Sequence, residues 1–510
     1  MKYNTETISE MALLLAEMMK AAITAQQGSE EKISEIAQIE TALRDILRQV
    51  GNQALGKLLS SMEPTPNAEI ACECGGDLHY QRVREAKVIS VFGKTAYTRA
   101  YYAGCTCQKG KAPLDDEIGL KPGSVTAGLA MLLALAGIKN SYDESPKWLQ
   151  SFLLFDVSEN TVRSETERMG RLQAQQEKIW IEQSQKESYL QERQRQPGKI
   201  PMQLYGSIDA AKVRIEPRPK KGEEKEEHED WRDMKVLCWF ETETVPPAQQ
   251  RKRHKAKMQR EQPALRAKSK QYFCDIIEAE AFGKLVWATG CKANADLCPD
   301  LVFLGDGAHW IWNIVDQYYP SARQIVDWYH AEEHLEKVAT SAFTNLSERA
   351  NWLAASTQSL WDGQVEEVIA ACRALSKSSV VAAQAVTYFA NNSERMRYDQ
   401  FRAAGYMIGS GTIESACKQI VTQRLKLPGA QWNVVPEPLK LRKRVLLGSA
   451  AHGNPFAHCA EACHWLFDNL CVHTAARDRS KVGKNVVKID AGRSNARPAS
   501  YEQRGTQPCA

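Results

Sequence analysis

The 510-residue sequence contains no apolar run long enough to cross a lipid bilayer, which takes about 18 to 20 uninterrupted apolar residues. The stretch AGLAMLLALAGI at residues 127–138 is too short for this and predicts a buried helix. The first residues also lack a basic segment leading into a continuous apolar core and a cleavage site, so we expect no signal peptide. These absences favour a cytoplasmic protein that does not interact with membranes.

Net charge is also small, because 66 basic and 62 acidic residues leave only +4. Any argument for a nucleic-acid partner must therefore depend on local clusters of basic residues. The contents of 43% hydrophobic and 25% charged residues are ordinary for a globular protein, and the length predicts three or four domains. In a cytoplasmic protein the 14 cysteines favour free thiols or metal ligands over disulfides.

Residues 1–64 have apolar residues at helical spacing and predict a helical arm, either a helical hairpin or an oligomerisation element. In residues 65–120, the runs REAKVISVFG and KTAYTRAYYAG predict a β-hairpin turning around Gly93-Lys94.

Two cysteine pairs flank this predicted hairpin, Cys72-x-Cys74 before it and Cys105-x-Cys107 after it. A hairpin brings its two ends together, so four sulfurs can meet around one tetrahedral Zn²⁺, as in a zinc ribbon. The usual pair is C-x2-C, whereas one residue separates each pair here. Structural zinc and free thiols therefore both remain as interpretations.

Residues 121–197 predict a helical region that contains a helix-turn-helix within Ser145–Gly170. One helix should end near Phe155, and Ser158 should cap a second helix that carries Thr161 and Arg163 near its start. In such motifs the start of the second helix reaches bases and phosphates in the DNA major groove. The same shape also occurs as a plain packing unit, so DNA contact stays one of two interpretations. A polar helix is predicted for residues 171–197.

Residues 198–330 change to a pattern of strands. MQLYGSIDAAKVRIEP and MKVLCWFETE predict strands of a meander, followed by a helix near 275–290, the strand LVFLGDG, the helix AHWIWNIVDQYY and the strand RQIVDWYH. Three meander strands followed by alternating strands and helices predict a mixed sheet with helices on its faces. The strongly basic segment Gln249–Lys270 is either a solvated loop or an arm that contacts phosphates.

Asp306 ends the apolar run of the fourth predicted strand and stands between two glycines. It can be a turn or helix-capping residue, since Gly-Asp-Gly suits a turn. If the strand carrying Asp209 is its neighbour, however, the two carboxylates face each other, and like charges that close require cations. Two Mg²⁺ or Mn²⁺ ions, roughly 3.5–4 Å apart, can be held by such carboxylates and a substrate phosphate. The glycines would then let a nucleic-acid backbone approach.

A third acid is predicted in the segment 405–432. Residues 409–412 should form a turn and cap, with Glu414 in the first helical turn and Lys418 one turn later on the same face, followed by Arg424 and Lys426. A carboxylate followed by basic residues in the same helix suits a metal ligand that lies beside the phosphate backbone of a nucleic acid. A glutamate that merely caps its helix is the alternative.

Taken together, SIDAAKV, FLGDGAHWIWN, VDWYHAEEHL and GSGTIESACKQIVTQRLK resemble the DDE transposases of bacterial insertion sequences. The likeness is to the branch related to mutator-type elements, which has an all-helical insertion before the last acid. YYAGCTCQKGKAPLDDEIGL also resembles the N-terminal segment of one such insertion-sequence family. The resemblance covers about residues 70–450.

This resemblance implies a multidomain α+β protein with an RNase H-like catalytic domain built on a mixed five-stranded sheet. Asp209, Asp306 and Glu414 would be its metal-binding triad, and Asp327-x-x-His330 would match the Asp/Cys-x-x-His motif of the branch. Residues 331–405 would be the helical insertion, and residues 406–474 the last part of the core with C-terminal helices.

The expected activity is cleavage of DNA at the element's ends and joining of the freed 3′-OH to target DNA, by a dimer or larger assembly in the nucleoid. His330 could position the scissile phosphate; alternatively, Asp327 and His330 form a strand-end pair that caps the next helix. Position 421, two turns after Glu414, is a valine and not a basic residue. Which of Lys418, Arg424 and Lys426 would assist the reaction is therefore left open. The predicted DNA contacts are Thr161, Arg163, Lys418, Arg424 and Lys426.

Two other functions compete with this one. An RNase H-like nuclease or resolvase would cut without joining, and a zinc-containing regulator would bind DNA on an inactive scaffold. Among the remaining features, Trp310, Trp312 and Trp328 predict core packing rather than base stacking. The pairs His458-Cys459 and Cys463-His464 favour helix packing over a second zinc site, and residues 475–510 predict a disordered basic tail.

Overall fold

The structure is a computed structural model that describes residues 36–62, 65–215, 230–245, 265–409 and 411–426, together with residues 12, 13, 16, 17 and 20. Predictions for the basic arm before residue 265, for the His/Cys pairs after residue 457 and for the C-terminal tail lie outside the described residues. Within the described ranges, no helix combines the length and the apolarity of a membrane span.

The N-terminal part contains one long helix and a small antiparallel sheet. Its elements are α1 (Ile36–Ser61), β1 (Glu69–Ala71), β2 (Asp77–Ser90) and β3 (Gly93–Ala103), with strand order β1-β2-β3. Strands β2 and β3 form the predicted hairpin, whose register closes at Ser90 opposite Gly93, so that the turn lies at residues 91–92. Gly93 has a φ of +103°, which glycine adopts without strain. Asn52 of α1 donates to the carbonyls of Phe92 and Lys94 and so holds this turn.

A helical region follows, with α2 (Pro113–Glu117), α3 (Ala127–Lys139), α4 (Glu144–Leu153), α5 (Glu159–Ser184) and α6 (Glu187–Arg195). The apolar run of α3 is buried, as predicted. Helix α4 ends at Leu153, and the Ser158 hydroxyl accepts the Thr161 N–H at 3.1 Å, which confirms Ser158 as the cap of α5. The polar stretch 171–197 is not one helix, because it begins inside α5 and is interrupted before α6.

A five-stranded mixed sheet forms the centre of the next part of the chain. Its strands are β4 (Gln203–Ile215), β5 (Asp230–Thr244), β6 (Leu265–Asp275), β7 (Asp300–Gly305) and β8 (Arg323–Val326). The order is β6-β5-β4-β7-β8; β4, β5 and β6 pair antiparallel, whereas β7 and β8 run parallel to β4. The protein is therefore a mixed α+β fold, with a mixed five-stranded sheet and many helices.

Two strand boundaries differ from prediction. Strand β6 begins at Leu265, inside the segment interpreted as a basic loop or arm, because charged side chains can occupy the solvent face of an edge strand. Strand β8 ends at Val326, and Trp328 and His330 belong to the following helix because Asp327 caps it.

The remaining elements are helical: α7 (Ala279–Ala293), α8 (His309–Tyr318), α9 (Trp328–Ala342), α10 (Leu346–Trp361), α11 (Val365–Leu375), α12 (Val380–Asn391), α13 (Tyr398–Ala403) and α14 (Gly411–Ala416). Helix α14 continues as a π-helical turn over Cys417–Thr422 and a short helix over Gln423–Leu425. Residues 331–405 thus contain helices and no strand, and α9 crosses the boundary predicted at residue 330.

Contacts tie the helical region to the part of the chain that carries the five-stranded sheet. Arg193 of α6 forms two hydrogen bonds to the Asp296 carboxylate at 2.8 and 2.9 Å, and the Trp287 indole of α7 donates to the Ser184 carbonyl of α5 at 3.0 Å. Trp312 and Trp328 are buried and Trp310 packs against the same apolar cluster, which confirms their prediction as core residues.

Candidate functional site

Three aspartates stand in a row across neighbouring parallel strands. The register pairs Ser207 of β4 with Leu304 of β7, so Asp209 and Asp306, each two residues further on, reach the same level of the sheet. Gly305 of β7 pairs with Val326 of β8, so Asp327 lies next in the row after Asp306. The parallel arrangement thus brings together acids from three separate parts of the chain.

Asp306 does make a turn contact, as the simpler interpretation predicted. One of its carboxylate oxygens accepts the Ala308 N–H at 2.9 Å, and Gly307 has a φ of +95°. A carboxylate can make such a contact through one oxygen and still offer another lone pair to a cation. The turn role and a ligand role are therefore compatible.

The glycines beside Asp306 serve internal packing, and their role in the approach of DNA stays a prediction. Both are buried. A Cβ at Gly305 would lie 3.1 Å from Ile311, and a Cβ at Gly307 would lie 2.6 Å from the Tyr388 ring. The protein's own side chains therefore occupy the space that glycine leaves.

Asp209 is held by two donors, the Ala210 N–H at 2.6 Å and the Cys417 thiol at 3.4 Å. Burial raises the pKa of the Asp209 carboxyl above its ordinary value, and the negative charge of Asp306 acts in the same direction. The two hydrogen bonds and His330 oppose this rise without cancelling it. Burial and the nearby charge of Asp306 thus make the charged form of Asp209 less favourable than it is in water.

This raised pKa predicts that Asp209→Asn stabilises the metal-free protein. The folded protein binds the Asp209 proton more tightly than the unfolded chain does. Protonation of Asp209 therefore stabilises the wild-type fold fully below the ordinary aspartate pKa, and this contribution is lost as pH rises through the folded-state pKa. Asparagine stays uncharged and loses nothing over that range. With a chelator present, amide exchange in β4, β5 and β7 should be slower in the variant than in the wild type at pH 7, and the difference should shrink as pH falls towards 4. The exposed Asp233→Asn serves as control. Unchanged or faster exchange in Asp209→Asn at pH 7 would contradict the prediction.

The third predicted acid, Glu414, lies in the first turn of α14, as expected, and is exposed. One ligand atom from each of Asp327, His330 and Glu414 lies within 4.8 Å of the others. Cys417, one turn after Glu414, reaches Asp209. The helix of Glu414 thus lies beside both Asp209 and the Asp327-His330 pair.

Asp327 also caps α9, because its carboxylate accepts the Tyr329 N–H at 2.7 Å. The capping alternative is therefore confirmed for Asp327. His330 lies in the first turn of this helix and is partly exposed. An aspartate that begins the helix orients it, and the helix in turn carries the imidazole towards Glu414.

The residues predicted to contact DNA differ in exposure. Lys418 and Lys426 are exposed, and Arg163 is half-exposed beside Glu159 on the outer face of α5. The Thr161 hydroxyl, by contrast, pairs with the Ser158 hydroxyl at 2.8 Å. Arg424 is only 3% exposed, because the π-helical turn changes the helical phase before it, so we do not retain it as a DNA contact.

The four predicted cysteines form a second cluster. Sγ–Sγ distances are 3.4 Å for Cys72–Cys74, 3.2 Å for Cys74–Cys105 and 3.5 Å for Cys72–Cys107, and all four sulfurs lie within 4.8 Å of one another. Four sulfurs bound tetrahedrally at about 2.3 Å from Zn²⁺ are roughly 3.8 Å apart, which is close to these distances. The cluster is thus a candidate four-cysteine metal site.

Two tight loops bring these sulfurs together. In the first loop the Cys72 N–H donates to the Gly76 carbonyl at 2.7 Å, and a Cβ at Gly76 would come within 3.0 Å of the Cys105 sulfur. In the second loop the Gln108 N–H donates to the Cys105 carbonyl at 2.9 Å. A hydrogen bond from the Cys107 backbone lowers the pKa of the Cys105 thiol to about 6, and Cys74 adds to this effect. The backbone therefore favours the thiolate form that binds metals.

Sequence reasoning missed four side chains around the acids. Cys417 donates to Asp209, and three residues from the helices after β8, His334, Tyr388 and Asn392, surround the Asp306 loop. Only Cys417 carried a signal, since it follows Glu414 by one helical turn. Tyr388 is 82 residues from Asp306, and nothing in its local pattern distinguishes it from other helical aromatics.

No protein-family model matches this chain, and no curated protein matches it either. A functional conclusion therefore depends on the geometry and chemistry of the two clusters. They are an acidic group with one histidine and a group of four cysteines, both of which are compatible with a metal.

Proposed function

We propose that the protein is the DNA transposase of an insertion sequence, with an RNase H-like catalytic domain. The observation that carries the proposal is the meeting of acids from three distant segments at one region of a sheet with order β6-β5-β4-β7-β8. Asp209 and Asp306 lie on neighbouring parallel strands, and Glu414 enters on a later helix. The resemblance of the surrounding motifs to DDE transposases supports the same conclusion.

The donor set suits Mg²⁺ or Mn²⁺. Carboxylate oxygens are the ligands that these hard cations prefer, and a cation would offset the cost of charging the half-buried Asp209 carboxyl. Asp209, Asp306 and Glu414 would hold two ions. When bound, the ions would lower the pKa of the attacking hydroxyl and stabilise charge on the leaving oxygen.

The other residues bind and orient DNA in this proposal. His330 donates a hydrogen bond to the scissile phosphate from the first turn of α9, and Asp327 holds that turn in place through its cap. The exposed Lys418 and Lys426 attract the phosphate backbone next to Glu414. Arg163 and the start of α5 contact the element's end in the manner of a helix-turn-helix.

We also propose that Cys72, Cys74, Cys105 and Cys107 hold one structural Zn²⁺ in a ribbon-like hairpin. The buried apolar cluster there is small, with Leu78, Ala100, Tyr102 and Cys105 as its fully buried members. A cross-link through metal would stabilise such a small unit more than its apolar contacts alone. This zinc unit would support DNA binding rather than catalysis.

A strand-transfer assay tests the proposal. The substrate is linear DNA in which an inverted repeat that flanks the gene is followed by a short stretch of flanking DNA. The strand to be transferred is labelled at its 5′ end, and the DNA is mixed with target plasmid and Mn²⁺. We expect labelled product joined to the plasmid. Cleavage without joining would instead support a nuclease or resolvase, and binding without either reaction would support a regulator.

A further inference from the structure

Tyr388 of α12 and Asn392, the residue that follows this helix, contact the loop that carries Asp306. The Tyr388 hydroxyl donates to the Asp306 carbonyl at 3.0 Å, and the Asn392 amide donates to the Gly307 carbonyl at 3.4 Å. Both acceptors are backbone oxygens of the turn between β7 and α8. The shape of this turn therefore depends on a helix more than 80 residues away in the sequence.

The surrounding residues hold Tyr388 firmly in place. The His334 ring of α9 stacks on the Tyr388 ring, with 3.8 Å between centroids and 17° between planes, and Phe389 meets it edge-on at 5.3 Å. Burial raises the pKa of the Tyr388 phenol, and Asp306 adds to the rise, so the hydroxyl keeps its proton and acts as a donor at ordinary pH. On its other side, the ring fills the space above Gly307.

These contacts act on the direction of the Asp306 side chain. The carbonyl that receives the Tyr388 hydroxyl belongs to Asp306 itself, and the carboxylate of the same residue accepts the Ala308 N–H. Fixing the peptide plane after Asp306 restricts its backbone dihedral angles, and those angles set where its carboxylate points. A rotation of this plane would therefore change where the carboxylate points.

We propose that Tyr388, supported by Asn392, is a positioning residue that sets the Asp306 carboxylate for metal binding. The inference rests on the proposed function of Asp306. Tyr388 acts through the backbone of the loop and needs no contact with DNA. The helical segment after β8 is therefore part of the machinery that shapes the metal site.

The test compares Tyr388→Phe, which keeps the ring and removes the hydroxyl, with the matched control Tyr319→Phe. Tyr319 is also buried, donates to the Val286 carbonyl at 3.4 Å, and lies at the opposite end of α8 from Asp306. Two readouts are measured: the Mn²⁺ dependence of strand cleavage, and hydrogen exchange at residues 303–312 without metal.

For Tyr388→Phe we expect the half-saturating Mn²⁺ concentration to rise about tenfold, the effect typical of losing a residue that orients a ligand. The maximal rate should stay within about threefold, and the Ala308 amide should exchange faster. Tyr319→Phe should match the wild type in both readouts. General destabilisation of the protein would lower the maximal rate as well, so a raised half-saturating Mn²⁺ concentration at a nearly unchanged maximal rate indicates a positioning role.

Equal Mn²⁺ dependence and equal exchange in Tyr388→Phe and the wild type would overturn the inference. If the wild type cleaves no DNA at any Mn²⁺ concentration, the proposed function fails, and the role of Tyr388 in metal binding fails with it. Exchange then still decides the structural part: faster exchange in Tyr388→Phe supports loop positioning, whereas unchanged exchange removes it.

Discussion

Replacing Asp306 by asparagine should abolish both DNA cleavage and strand joining, a loss of roughly a thousandfold or more. Asparagine keeps a side-chain oxygen for the Ala308 N–H, so the turn between β7 and α8 should survive. What the variant loses is the negative charge that a divalent cation requires. DNA affinity should stay within roughly tenfold, about 1.4 kcal/mol, because Asp306 is not proposed to bind DNA directly.

The matched control is Asp316→Asn, an exposed aspartate in the last part of α8. It removes the same charge from the helix that follows the Asp306 turn and should leave both reactions close to the wild type. Strand-transfer assays and DNA-binding titrations at one fixed salt concentration provide the comparison, since phosphate contacts are salt-dependent. Retained turnover in Asp306→Asn would refute the assignment of Asp306 to the metal site.

Replacing Cys105 by serine should remove zinc from the protein and loosen the hairpin of β2 and β3. The free energy of binding structural zinc is large, about 10–16 kcal/mol in small zinc-binding peptides, and depends on a complete thiolate set. Cys105 also contributes to the small apolar cluster of this sheet, so its loss affects both metal and packing. Elemental analysis should find about one zinc per wild-type chain and almost none in the variant.

Hydrogen exchange over residues 69–107 gives the local readout, because one melting temperature does not describe a chain of several domains. Cys298→Ser is the control: Cys298 lies outside the cluster and donates to the Asp300 carbonyl at 3.4 Å, a bond that a hydroxyl can replace. EDTA should reproduce the exchange pattern of Cys105→Ser in the wild type. If chelation leaves the hairpin's exchange unchanged, the zinc proposal is lost.

Much of the sheet could be predicted because its residues follow simple periodic patterns. Alternating and continuous apolar runs marked β4, β5 and β7, whereas the pairing of β4 with β7, on which the approach of Asp209 to Asp306 depended, came only from the structure. The cysteine pairs were predictable for a similar reason, since a hairpin must bring its ends together. Glu414 was found through its turn-and-cap context at the start of a helix.

The details that sequence could not supply depend on tertiary packing. Arg424 was predicted to contact DNA, but it is buried where the chain leaves the π-helical turn over Cys417–Thr422. The hydrogen bond from Tyr388 to Asp306 joins residues whose local patterns carry no sign of each other. His330 was predicted at a strand end, whereas the strand stops at Val326 and Asp327 caps the helix that carries His330.

Helix α9 begins at the acidic group and runs without a break to Ala342, a rod about 22 Å long. Its first turn carries His330, and its far end meets α12, where the Ser341 and Ser379 hydroxyls lie 2.6 Å apart. The cap at Asp327 and the contact at Ser379 therefore hold the two ends of one stiff helix, and the position of the His330 imidazole depends on both.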